Sequence, residues 1–201
     1  MFSWNLAALA AGGVLLAGCA SDKAVPVTEM RGDEKGFVGG TGVESQDLVR
    51  VSDKIARGIL SAPQIAAAVA PPVVVLEPVL NETRFPINKN IFLDRIQAQL
   101  ISKAQGKVTF MARERMAALE REREMKRTGQ LTATGNPLAQ EFKGADYFLT
   151  GTLQGLSTRT SKGTSDYILY AFQLIDARTS AIVWEDNAEI KKQGLEDAAY
   201  R

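Results

Sequence analysis

Apolar residues fall into three regimes along this chain. From Leu6 to Gly18 they form a nearly unbroken run of Ala, Gly, Val and Leu; from Ala20 to about Glu44 they lose any period among Gly, Pro, Ser, Thr and charges; from Ser45 they become periodic. Leu48, Val51, Ile55 and Ile59 recur at helical spacing with charges between them, which predicts an amphipathic helix from Ser45 to about Leu60 packed on a sheet. The β-branched run Val73 to Leu76, closed by Glu77-Pro78, predicts a short buried strand, and Asn81 to Pro86 a polar loop. Asn88 is placed to cap a helix with Ile91, Ile96 and Leu100 on one face, ending before Gly106. Lys107 to Met111 alternates as a second strand. A third helix is expected from Ala112 to about Arg127, with Met116 and Leu119 inward and Glu122 paired with Lys126. Its Arg-Glu-rich run reads better as a solvated face than as a binding stripe.

After a short helix expected at Pro137 to Lys143 and stopped by Gly144, three strands follow: Tyr147 to Leu156, Tyr167 to Asp176, and Ala181 to Lys191. The second is apolar on both faces, as a central strand is. The third puts Ile182, Trp184, Ala188 and Ile190 on one face and Glu185, Asn187 and Glu189 on the other. Turns at Thr158 to Ser165 and Ala177 to Ser180 make these strands an antiparallel meander. The expected fold class is α/β: a single sandwich domain whose mixed sheet carries an antiparallel C-terminal three-strand meander and is covered by helices. The organisation expected is 1–18 signal peptide, 19–44 lipidated tether and 45–201 globular domain.

The apolar run before Cys19 is shorter than the roughly 20 residues that span a bilayer. It ends in Leu16-Ala17-Gly18-Cys19, which resembles the lipobox of bacterial lipoproteins, where the cysteine sulfur receives diacylglycerol and the chain is cut before it. Met1 to Asn5 carries no Lys or Arg, a departure from the basic start of most signal peptides. A buried free cysteine is the alternative for Cys19. Two or three acyl chains, at about 0.8 kcal/mol per buried CH₂, would hold the protein on a membrane stably. Ala20 after the cysteine resembles the signal for outer-membrane sorting. The tether would span ~25 to 30 Å on average and ~80 to 90 Å at full stretch. Its Gly39-Gly40-Thr41-Gly42 cluster has neither the preceding strand nor the following Lys-Ser/Thr of a phosphate loop, so it reads as linker.

Composition then removes whole classes of function. The 201 residues leave room for one domain, and 24 basic against 23 acidic residues give a net charge of +1, with no electrostatic reason to expect nucleic acid. Histidine is absent and Cys19 is the only cysteine, so Ser-His-Asp, Cys-His and His-zinc chemistry and any intrachain disulfide are excluded. No Ser-x-x-Lys motif occurs, and no spacing selects a carboxylate pair for glycosidic work. The chain is read as a non-enzyme with no cofactor and no metal, and another protein is the expected partner.

Several motifs carry a family resemblance: Val79-Leu80-Asn81-Glu82-Thr83 after a strand, Lys107-Val108-Thr109-Phe110-Met111-Ala112-Arg113 after a helix, Gly144-Ala145-Asp146-Tyr147-Phe148-Leu149-Thr150-Gly151, and Leu174-Ile175-Asp176-Ala177-Arg178-Thr179 leading to Ile182-Val183-Trp184. Together they resemble the LpoB family, outer-membrane lipoprotein activators of penicillin-binding proteins, over roughly Val73 to Lys192. The same core is similar to that of the curli-secretion lipoprotein CsgG and the amino-terminal domain of TolB. The resemblance implies a monomer held by Cys19 in the outer membrane, facing the periplasm, that binds and activates a class A penicillin-binding protein in peptidoglycan synthesis. Its tether lacks the long Pro-rich stretch of the enterobacterial member. The same motifs also serve the fold, since Gly144 stops a helix, Gly151 permits a close approach, Asp176 to Thr179 turns the chain, and Trp184 fills the core. Arg84 in the first loop and Arg159 and Lys162 in the strand turn are the candidate partner contacts, since arginine is enriched in interface hot spots and both turn cations sit at an exposed tip. The alternative function is a CsgG-like envelope assembly or secretion component, which needs strands of about 9 to 11 residues with an apolar band toward lipid.

Overall fold

Val73–Leu76 has no polar side chain, so both its faces and both its edges need cover. As β1 it is paired in parallel on each side, with β3 (Thr109–Met111) and with β4 (Tyr147–Thr160). The computed structural model describes residues 27–37, 39–132 and 143–194. Past the end of β1 a second short strand, β2 (Leu80–Glu82), continues in parallel beside β4. β4, β5 (Gly163–Asp176) and β6 (Ile182–Gly194) then follow antiparallel, giving one mixed sheet in the order β3-β1-β4-β5-β6 with β2 beside β4. This is the α/β sheet with its C-terminal meander that the sequence pattern predicts, and β5 is its central antiparallel strand.

Helices α1 (Ser45–Ser61) and α3 (Asn90–Ala104) lie together on one face, joined to the sheet by a single apolar core. α1 buries Val51, Ile55 and Ile59, the stripe seen in the sequence. A short helix α2 (Pro63–Ala66) follows, with Pro at its start and Ile65 buried. Alternate β5 residues Ile168, Tyr170, Phe172 and Leu174 face the helices, beside Leu149 and Leu153 of β4. The Phe92 ring meets Tyr170 with centroids 5.6 Å apart. Gly151 sits opposite Phe172, whose Cε1 lies 2.5 Å from where a β-carbon would be, so a side chain there would displace a buried aromatic ring. Gly58 gives Trp184 a similar seat on α1.

The structure departs from the sequence reading at five places. Ile91 is exposed, because a five-residue step to Ile96 leaves the face; Phe92, Leu93, Ile96 and Leu100 form it instead. The N-cap of α3 is Lys89, without a side-chain cap, rather than the expected Asn88, whose side chain accepts the Asn90 N–H at 3.2 Å from one position earlier. The segment expected to be loop from Asn81 begins inside β2, and only its remainder turns, pinned by the Asn81 side chain bonding Phe85 O and the Thr83 N–H. The broad turn expected at Thr158 to Ser165 is strand up to a two-residue tip, Ser161-Lys162, since Thr-rich segments pair well despite being polar. A bulge between Leu174 and Ile175 pairs Leu174 with Trp184 and Ile175 with Ile182, so Ile182 flips outward and is exposed. Finally, α4 (Met116–Arg127), preceded by a 3₁₀ turn at Arg113–Arg115, buries nothing. Met116 is only half-covered and Leu119 is exposed, because Met116, Leu119 and Met125 are too few apolar residues to make a stripe. Its Lys126–Glu122 pair forms at 3.1 Å as expected. The helix expected at Pro137 to Lys143 lies, except for its last residue, outside the described residues, as do the apolar run and Cys19.

Candidate docking surface at the hairpin end of the sheet

The inward parity of β5 continues past Ile168 to Asp166, which places a carboxylate where the strand buries its side chains. Asp166 is 1% exposed and therefore needs a partner. Arg84 supplies it from the loop after β2: Nε donates to Oδ1 at 3.0 Å and a terminal nitrogen to Oδ2 at 2.7 Å, a two-pronged pairing. Ser157, opposite Asp166 on β4, donates to the same carboxylate and accepts from Arg84 Nε at 3.0 Å. The guanidinium lies 4.4 Å over the Phe85 ring. Thr41, buried at 3%, brings its hydroxyl toward this carboxylate without completing a hydrogen bond. Burial alone would raise the Asp166 pKa, but the hydrogen bonds from Arg84 and Ser157 and the charge of Arg84 outweigh it and hold the carboxyl below its usual range.

A depressed folded-state pKa stabilises the fold above the unfolded value of about 3.9 and loses that contribution as pH falls through the folded value. Arg84→Met leaves Asp166 buried without its counter-charge. It is expected to cost about 2 to 3 kcal/mol at pH 7, less than a fully buried pair because Arg84 is shared with solvent. Thermal melts at pH 7 and pH 3 check this: the wild type loses stability below about pH 4, whereas the variant's deficit shrinks there.

The network ties the β2 loop to the base of the β4–β5 hairpin, and the cations beyond it are exposed. Arg159 lies on β4 opposite Thr164, and Lys162 is at the tip. Lys191 is exposed on β6 opposite Tyr167. Among the described residues none of the three has an ion-pair partner. The structure thus brings all three sequence candidates, Arg84, Arg159 and Lys162, to one end of the sheet, but it gives Arg84 a structural pairing and leaves the other two to solvent. The outer side of this end holds an open cleft of about 560 Å³ lined by Thr158, Thr160, Lys162, Ser165, Lys191 and Gln193. Its lining carries hydroxyls, an amide and two ammonium groups with no carboxylate, which suits an acidic partner surface. Tyr167, deeper on the same face, has its pKa raised by partial burial and then by the charge and hydrogen bond of Glu189.

The sequence pattern misses Lys192 and also Asp166, which lies just before the strand it predicts from Tyr167; once β5 is seen to begin at Gly163, a carboxylate in its buried parity demands a cation nearby. Lys192 is turned inward and only 17% exposed, reaching Asp47 at 2.5 Å, Glu44 at 3.1 Å and the Gly42 carbonyl at 2.9 Å. At the opposite end of the sheet Asp176 makes the expected turn, accepting the Thr179 N–H at 2.7 Å and the Arg178 N–H at 2.9 Å. These bonds hold its carboxyl below the usual range. Among the described residues there is no group of three potential metal ligands, and no helix is long and apolar enough to cross a membrane.

The sequence profile of the family described as peptidoglycan-synthase activator LpoB matches residues 47–190. No curated protein matches the chain. Similar solved structures include the LpoB C-terminal domain from Salmonella enterica, 17% identical with a TM-score of 0.45, over 73% of this chain and 99% of that one. The corresponding domain from Escherichia coli is 16% identical with a TM-score of 0.43, over 73% and 99%. The E. coli LpoB solved by NMR is 14% identical with a TM-score of 0.43, over 93% and 91%.

Proposed function

The chain belongs to the LpoB family of peptidoglycan-synthase activators, and we propose that it is a lipid-anchored regulator that binds a class A penicillin-binding protein and favours its active state. The family match over residues 47–190 carries this reading. In it, Cys19 bears the lipid, the anchor lies in the outer membrane facing the periplasm, and the domain acts as a monomer by contact rather than by chemistry of its own. The absence of histidine from the whole chain agrees with a role in binding. Docking can shift the synthase only by its differential affinity for the inactive and active states. A tenfold rise in the active population of a mostly inactive synthase needs a preference of at least about 1.4 kcal/mol.

The surface proposed for docking is the hairpin end, where Arg159 and Lys162 stand on the β4–β5 hairpin and Lys191 on the neighbouring β6, beyond a base fixed by Arg84 and Asp166. Arg84 serves there by holding the hairpin in place. A secretion pore is less well supported, because outward β6 positions 185, 187, 189 and 191 are Glu, Asn, Glu and Lys, which make no apolar band. The double charge reversal Arg159→Glu, Lys162→Glu is expected to weaken binding to the purified synthase about 100-fold, and more at low salt, while Lys107→Glu at the other end of the sheet leaves it unchanged. Titration calorimetry on the full chain measures this. Equal affinities for the reversed and native proteins would move the docking surface elsewhere.

A further inference from the structure

The sheet ends on two unequal edges: β3 has 3 residues and β6 has 13. A long strand edge offers its backbone N–H and C=O groups to any other strand, and natural sheets blunt such edges. Among the described residues no strand pairs with the outer side of β6. In an antiparallel ladder the N–H and C=O of one residue point to the same side, and successive residues alternate sides. At Asn187, in the middle of β6, both groups are taken by side chains: the N–H donates to Asp186 Oδ1 at 2.7 Å, and the carbonyl accepts from Lys54 Nζ. Lys54 reaches there from α1 and closes the group by donating to Asp186 Oδ1 at 3.0 Å. Residues 185, 189 and 191, in step with Asn187, turn their backbone groups to the same outer side. Their side chains, Glu185, Glu189 and Lys191, are exposed on the sheet face away from the helices.

We propose that Lys54 and Asp186 are a guard that keeps β6 from pairing edge to edge with a second copy of this chain. The strand is otherwise suited to itself. An antiparallel pairing centred on residue 188 sets Glu185 opposite Lys191 twice, and one centred on residue 190 sets Glu189 opposite Lys191 twice, in each case as opposite charges across neighbouring strands on one face. Either register asks the backbone of Asn187 for hydrogen bonds to the other copy, and the guard already holds both groups. The Lys54 ammonium also stands where the incoming strand would run. Both guard side chains stay partly exposed, at 46% and 30%, so keeping the pair there costs little desolvation. A closed guard keeps the domain single, and an open one bares a self-complementary edge.

Light scattering on the full chain in detergent, with the micelle mass subtracted, tests the guard. The native protein is expected to stay monomeric, whereas the double variant Lys54→Ala, Asp186→Ala is expected to form dimers, with self-association at least about tenfold tighter. Hydrogen–deuterium exchange on that variant is expected to show amides 187, 189 and 191 gaining protection as its concentration rises. Adding Lys191→Glu sets like charges across the edge in either register and is expected to return the double variant to monomer. Should the double variant lose its fold, Lys54→Ala alone provides the second reading: it frees the Asn187 carbonyl but leaves the N–H with Asp186, so weaker dimers that Lys191→Glu also disperses are expected. A native chain that is already dimeric, guard variants as monomeric as the native protein, or dimers indifferent to Lys191→Glu overturn the proposal.

Discussion

Cys19→Ala is expected to move the protein from the membrane fraction to the soluble fraction and to abolish synthase activation in cells, while the purified variant binds the synthase as the native protein does. With Cys19 acylated as proposed, each acyl chain would contribute about 0.8 kcal/mol per buried CH₂, so two or three would hold the protein at the membrane stably, and among the described residues no helix is long and apolar enough to cross one. Anchoring also raises the effective concentration of the domain near envelope partners without adding a contact to the interface. Cell fractionation and a cellular peptidoglycan-synthesis assay read the first part, and titration of purified proteins the second. Equal activity of the unanchored form in cells would contradict the tethered mechanism.

Phe92→Ala is expected to destabilise the domain by about 3 to 5 kcal/mol, among the largest effects of any single substitution here. Phe92 is fully buried on α3 and its ring meets Tyr170 in the middle of β5, so truncation opens a cavity where helix and sheet layers join. For a domain of this size that lowers Tm by roughly 6 to 20 °C. Calorimetric melts of the two proteins measure it, and a cost under about 1 kcal/mol would show that the layers do not close around this ring. Gly151 and Phe172 mark the same junction from the sheet side, where glycine makes room for the ring.

Much of this fold is legible because its strands and helices bury one parity or one stripe. Val51, Ile55 and Ile59 announce α1, and Ile168, Tyr170, Phe172 and Leu174 announce β5 and its central place. What the pattern hides is what local composition does not encode. The hairpin runs longer than its apolar part because Thr158 and Thr160 pair through the backbone with Ser165 and Gly163. The bulge that turns Ile182 out is a register event between two strands, and β2 is a strand only because β4 extends beyond β1. The candidate site was legible in part for the same reason. Arg159 and Lys162 stand out as exposed cations near a turn, but the partner of Arg84 lies 82 residues away on another strand. Lys192 reads as one more charge at a strand end until the fold brings Glu44 and Asp47 to it.

Reconstitution of a purified class A penicillin-binding protein with the full chain, following glycan polymerisation from lipid-linked precursor, bears most directly on the central claim. The expected result is a several-fold rise in rate that saturates with added protein and is lost with the Arg159→Glu, Lys162→Glu variant. A rate that stays flat while binding is saturated would contradict it.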